Sequence, residues 1–204
     1  MLIAAAAWPS SAAADTAASV PVIGQQNGAW ASLRLGSSPV DTIGSAGCAV
    51  SALVMVLDYY GIPTDPAQLN AWLSANGGYA TVDDVLWDAI SGASGGQVDF
   101  TGWYGADLGL ITGELGSGRP VIAEVSLNGN QHFVVLTGLA TGGGFITNDP
   151  WFGDQINFAA RYGDPSTGIL SIRTFALHAE SGPRGAGGDP QPIATLPMLL
   201  HLEQ

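Results

Sequence analysis

Four residue types that cooperate in acyl transfer occur in this chain where local structure could bring them together. Cys48 is the only cysteine, so no internal disulfide can form and the thiol is structural, redox-active or catalytic. A free cysteine is often no more than a small buried hydrophobe, and its position is what separates these cases. Cys48 follows Gly47 at the start of a strongly helical pattern. The unpaired amides and dipole of a helix N-terminus favour negative charge on sulfur there, and the position predicts a nucleophile. Such a nucleophile needs a base, and the histidines are His132, His178 and His201. His201 falls in a Gly/Pro-rich tail, and His178 at the end of the last expected strand. His132 opens a strand, with Gly129-Asn130-Gln131 before it and Phe133-Val134-Val135 after it, and is the expected base.

A third group should orient the imidazole and hold its useful tautomer. If Thr141-Gly142-Gly143-Gly144 closes a hairpin between Leu139 and Gly144, the returning strand ends beside the start of the first. Asn148 and Asp149 then come within reach of His132. Asp149 is preferred, because a carboxylate also stabilises the imidazolium; taken alone, Asn148-Asp149-Pro150 reads as a turn. Asp154 is the less favoured candidate. A developing oxyanion needs donors: the Cys48 amide is one, and Gln25 or Gln26 in the upstream loop could supply another. Physics does not separate these two glutamines.

The elements that must position these groups are legible in outline. Val50, Leu53, Val54 and Leu57 follow the helical period, so a helix is expected from about Gly47 to Tyr60, stopped by Gly61. A second helix should start after Asp65, with Pro66 in its first turn and Gln68 completing a capping box, and end at Gly77-Gly78. A third is expected from Thr81, with Asp84 at its third position, to about Ile90. A shorter fourth should cover Ala106 to Leu115. From Arg119 the pattern turns strand-like, over Pro120–Leu127, His132–Leu139, Gly144–Thr147 and Gly168–Leu177. Helices first and an antiparallel sheet second is an α+β arrangement.

Composition bounds the function. At 204 residues the chain supports one well-buried core. The net charge is -12, lysine is absent, and the five arginines are scattered. Nucleic-acid binding needs a basic patch that displaces counterions from phosphates, and none is visible. No apolar run approaches the roughly 18 residues of a membrane helix. Residues 1–19 read as a leader: an apolar stretch followed by small residues resembles a signal peptide, although no positive n-region precedes it. Export is therefore expected. Residues 20–178 form the expected domain. Residues 179–204 are a Gly/Pro-rich tail without regular structure before Leu196 to Leu202.

A resemblance runs in order through nearly the whole domain. Val20-Pro21-Val22-Ile23-Gly24-Gln25, Trp30, Thr42-Ile43-Gly44-Ser45-Ala46-Gly47-Cys48 and Met55-Val56-Leu57-Asp58-Tyr59-Tyr60-Gly61 resemble the C39-like peptidase family. So do Leu69-Asn70-Ala71-Trp72-Leu73, Gly77-Gly78-Tyr79, Arg119-Pro120-Val121-Ile122, His132-Phe133-Val134-Val135 and Asn148-Asp149-Pro150-Trp151. The resemblance implies a papain-like cysteine peptidase fold, with N-terminal helices packed on a C-terminal antiparallel sheet. It implies Cys48, His132 and Asp149 as a triad. It also selects Gln25 for the oxyanion hole, since in the family's pattern a glutamine stands five residues before the tryptophan, here Trp30. Members often read Gly-Cys-Gly or Gly-Cys-Ala followed by a Ser/Thr pair, whereas this chain has Gly47-Cys48-Ala49-Val50-Ser51. Better-known relatives are fused to export transporters and trim leaders after paired glycines; without a transporter, that substrate is not carried over. The expected substrate is a peptide or other amide, with no metal or organic cofactor. Rival readings are a peptidoglycan amidase or endopeptidase, and a non-catalytic surface-binding module on the same fold. Trp103 or Trp151 could line the substrate groove.

Overall fold

A computed structural model describes residues 16–180. Most of the expected leader, the Leu196–Leu202 segment and His201 lie outside the described residues. The strands are β1 (Thr16–Ala17), β2 (Val98–Gly105), β3 (Val121–Leu127), β4 (Asn130–Leu139), β5 (Phe145–Asp149), β6 (Asp154–Asn157) and β7 (Ile169–Leu177). The helices are α1 (Ile43–Ala46), α2 (Cys48–Tyr59), α3 (Pro66–Ala75), α4 (Ala89–Ala93), α5 (Leu108–Gly116), α6 (Ala159–Tyr162) and α7 (Pro165–Gly168). The strands form one antiparallel sheet in the order β2-β7-β3-β4-β5-β6, with β1 pairing the far end of β4. The fold is α+β, as expected. Among the described residues, no helix is long and apolar enough to cross a membrane.

Strand alternation divides the core between the two faces of the sheet. Ile122, Phe133, Val135 and Phe175 pack with α2, with Leu69 and Leu73 of α3 and with Ile90 of α4. Val121, Ala123, Val125, Val134, Leu136 and Ile172 pack instead with Ile111 and Leu115 of α5 and with Phe158. Because β4 is covered on both sides, its residues from His132 to Gly138 are all buried, which is why that segment reads as a continuous apolar run. Helix α2 is enclosed too. Besides the expected stripe, Ala52, Met55 and Val56 are fully buried, each large aliphatic side chain contributing about 2 kcal/mol. A helix with no polar face cannot shift without emptying the core, so its first residue is firmly placed.

The hairpin that carries His132 turns at Asn128 (φ 52) and Gly129 (φ 81). Two consecutive positive φ angles make a turn whose twist matches the strands, which is why Asn-Gly suits it. This turn fixes the register, with Val125 opposite His132 and Leu127 opposite Asn130. The expected hairpin over 141–144 also forms, joining β4 to β5.

Three expectations require correction. No helix begins at Thr81: Thr81 Oγ1 donates to Asp84 Oδ2 at 2.8 Å, while the chain folds back so that Tyr79 bridges Val85. A Thr-x-x-Asp spacing serves a turn as well as a helix start, and helix α4 begins only at Ala89. The region assigned to helices also contains β2, which pairs with β7 at the sheet edge. Finally, only the Asp65 half of the capping box at Asp65–Gln68 is made, with Asp65 Oδ1 accepting from the Gln68 amide at 2.8 Å. The reciprocal box lies at Thr42–Ser45.

Candidate active site

The nucleophile position is prepared by the capped turn α1. Thr42 and Ser45 close their box, and the chain breaks at Gly47 before starting α2. A Cβ on Gly47 would lie 2.5 Å from the Ile43 carbonyl oxygen and 2.9 Å from the Ile43 Cα, so only glycine lets the turn close this tightly. Cys48 is thereby the first residue of α2, buried except for 8% of its surface. First-turn amides have no intrahelical partner, and the sulfur stands at this electropositive end.

His132 is the third residue of β4 and only 3% exposed. Its Nε2 donates to Asp149 Oδ1 at 2.9 Å, which leaves Nδ1 as the second ring nitrogen, and the ring also interacts with the Cys48 side chain. Burial pushes the imidazole toward its neutral form, but Asp149 and Cys48 outweigh burial and raise its pKa to about 9. These two partners therefore favour the imidazolium form of the ring.

Asp149 ends β5 and is fully buried. Its Oδ1 accepts from His132 and from the Trp151 amide, both at 2.9 Å. Its Oδ2 accepts from Arg161 Nη1 at 2.8 Å and from the Tyr162 hydroxyl at 2.6 Å. Burial would raise the carboxyl, yet His132, Tyr162 and Arg161 overcome it and lower its pKa to about 2. The neighbouring candidates are occupied elsewhere. Asn148 Nδ2 donates to the Val20 and Pro21 carbonyls at 3.0 and 3.2 Å, and its Oδ1 accepts from Gln155. Asp154 pairs with Arg161, and His178 with Asp99.

Gln25 is brought to this region by the segment that Asn148 pins. Its backbone N–H donates to the Pro150 carbonyl at 2.8 Å, and Trp30 Nε1 donates to the Gly24 carbonyl at 2.9 Å. Gly24 approaches Gly153 so closely that a Cβ on Gly24 would meet the Gly153 Cα at 3.3 Å. Gln25 is 1% exposed, and its Nε2 donates to the Gly44 carbonyl, one turn before Cys48, at 3.0 Å. Among the described residues its Oε1 has no partner and one Nε2 hydrogen is uncommitted, since the amide carries two. Gln26 is exposed. Of the tryptophans expected near a groove, Trp151 directly follows the Asp149-Pro150 turn, whereas Trp103 stacks 4.1 Å from the buried Arg173 guanidinium on β7. Both rings are partly exposed.

The residues that sequence reasoning missed are Arg161, Tyr162 and Asn148 in its clamping role. Arg161 and Tyr162 gave no local signal, because nothing in their own segment shows that it returns to the end of β5.

A fold with a helix-borne cysteine facing a strand-borne histidine, on an antiparallel sheet, is of the papain-like class. The model of the Peptidase_C39 like family matches residues 18–164, and the chain belongs to that family. No curated protein matches the chain. Family membership supports cysteine peptidase activity on a peptide substrate.

Proposed function

We propose that the protein is a cysteine peptidase that works through Cys48, His132 and Asp149, with Gln25 at the oxyanion site. Cys48 Sγ adds to the carbonyl carbon of the scissile amide. The oxyanion that forms accepts hydrogen bonds from the Cys48 amide and from the uncommitted Gln25 Nε2 hydrogen. The His132 imidazolium gives its proton to the departing amine, the C–N bond breaks, and a thioester remains. Water then attacks the thioester, its proton passing to His132, and the thiolate leaves with the acid product. Asp149 keeps the ring oriented and stabilises its charge throughout. The domain is proposed to span residues 20–178; the last strand of the sheet ends at Leu177, and β1 at Thr16–Ala17 adds a short pairing with β4 ahead of that start.

The observation that carries this reading is the buried His132–Asp149 contact at 2.9 Å, on a ring that also faces the only thiol. Thiol alkylation tests it. Near neutral pH, Cys48 should react with iodoacetamide faster than a model thiol, and His132→Ala should abolish the excess. Ordinary reactivity that ignores the His132 substitution overturns the proposal. Turnover on a peptide library, with Cys48→Ala as control, then tests the substrate class.

A further inference from the structure

We propose that Arg161 and Tyr162, consecutive on α6, are positioning residues for the triad: they hold Asp149 Oδ2 so that Oδ1 stays aimed at His132. The inference rests on the proposed roles of Cys48, His132 and Asp149.

A carboxylate has about four acceptor directions, and each Asp149 oxygen uses two. Oδ1 serves the reaction side, through His132 and the Trp151 amide; among the described residues Oδ2 serves α6 alone. The last side-chain torsion of aspartate is broad and nearly two-fold, so without donors on Oδ2 the group can turn and exchange its oxygens. The α6 donors are themselves immobilised. Arg161 forks onto both oxygens of Asp154 at 2.9 and 2.8 Å while reaching Asp149, and its guanidinium lies 3.9 Å from the Phe152 ring centroid. The Tyr162 ring packs against the fully buried Phe158, centroids 5.3 Å apart. The Phe158 amide donates to the Phe145 carbonyl at 2.8 Å, tying the start of α6 to the start of β5. The carboxylate is thus gripped from a second element that is registered to its own strand.

The charged and titratable groups facing Asp149 are His132 on β4 and Arg161 and Tyr162 on α6, with Asp154 on β6 behind Arg161. Burial pushes the Asp149 carboxyl up; His132, Tyr162 and Arg161 pull it down. Losing either α6 donor therefore raises its titration midpoint, whereas a loss of packing that only exposes the carboxyl relieves the burial penalty and lowers it.

The test compares Tyr162→Phe, Arg161→Met and Arg161→Lys with the wild-type protein. The readouts are the iodoacetamide rate at Cys48, the Asp149 carboxyl titration by carbon-13 NMR, and thermal unfolding. Tyr162→Phe removes one oxygen and keeps the ring on Phe158, so it reports even where Arg161→Met fails to fold. Tyr162→Phe and Arg161→Met should each slow the His132-dependent excess about tenfold, the usual order for a hydrogen bond to a charged group. Both should move the Asp149 midpoint above about 2. Arg161→Lys, which keeps the charge but not the fork, should recover part of both effects. Lower thermal stability with the rate and the carboxyl titration unchanged overturns the positioning role. A wild-type protein with no His132-dependent excess overturns the triad itself, whereas an excess untouched by either α6 substitution overturns only the part given to α6.

Discussion

Replacing His132 with glutamine should change folding stability in a way that depends on pH, and the structure gives both sign and size. The ring is 3% exposed, so burial disfavours its charge, yet Asp149 and Cys48 raise its pKa from 6.5 to about 9. At about 1.4 kcal/mol for each tenfold change in proton affinity, that gap amounts to about 3 kcal/mol. Because the folded value lies above the unfolded one, the folded state binds the extra proton. The stabilisation is complete below pH 6.5, roughly half gone near pH 8, and absent once the pH has risen past about 9. Glutamine fills similar space without titrating, so its packing difference is a constant offset and only the slope carries information. Urea unfolding followed by tryptophan fluorescence at pH 6, 8 and 10 measures it. The stability gap between wild type and His132→Gln should shrink by about 3 kcal/mol between pH 6 and 10. A gap that stays constant, or widens with pH, means that the ring is buried neutral, and it refutes the imidazolium on which the mechanism depends.

Two further outcomes follow from the site. Gln25→Ala should lower kcat on a cleaved peptide by about 10² to 10³, the usual cost of one oxyanion donor, while leaving KM within a few-fold; an unchanged kcat removes Gln25 from the oxyanion site. Gly47→Ala should cost about 1–3 kcal/mol and also abolish fast alkylation of Cys48, because the added carbon meets Ile43 backbone at 2.5 Å and α2 must move. Thermal unfolding and the iodoacetamide rate check both halves, and a variant that reacts like the wild type shows that Gly47 does not set the cysteine.

The parts of the fold legible in the sequence are those where local chemistry and tertiary demand agree. Helix α2 is announced by an apolar run with a glycine at each end and observed over Cys48–Tyr59; β3, β4 and β7 are announced by β-branched runs between turn residues. The failures occur where one short pattern serves two geometries. Thr81 and Asp84 satisfy each other within a turn, so the spacing that reads as a helix cap stabilises a loop. Strand β2 carries glycines at positions 102 and 105 and an irregular burial pattern, with a register shift between Phe100 and Gly102. Only its pairing with β7, whose residues are distant in sequence, makes it a strand.

For the site, the division falls between groups whose secondary structure supplies their position and groups whose topology does. Cys48 is legible because a helix start has its own signature. His132 and Asp149 are legible as a pair because hairpin arithmetic brings the end of β5 back toward the beginning of β4. Gln25 has no such arithmetic: it is held by Pro150 and Gly44, Trp30 ties the adjacent Gly24, and Asn148 fixes the Val20–Pro21 segment against the sheet. This arrangement has a mechanical consequence. Asn148 and Asp149 are adjacent on β5; the first holds the chain that carries the expected oxyanion donor, and the second holds the base. The end of β5 is thus linked to both the Gln25 segment and the His132 ring, while Gly44 also ties the Gln25 side chain to the turn before Cys48. The end of this strand is held by its pairing with β4 and β6, and the hydrogen bonds from α6 to Asp149 and the close approach of Gly24 to Gly153 add to that hold.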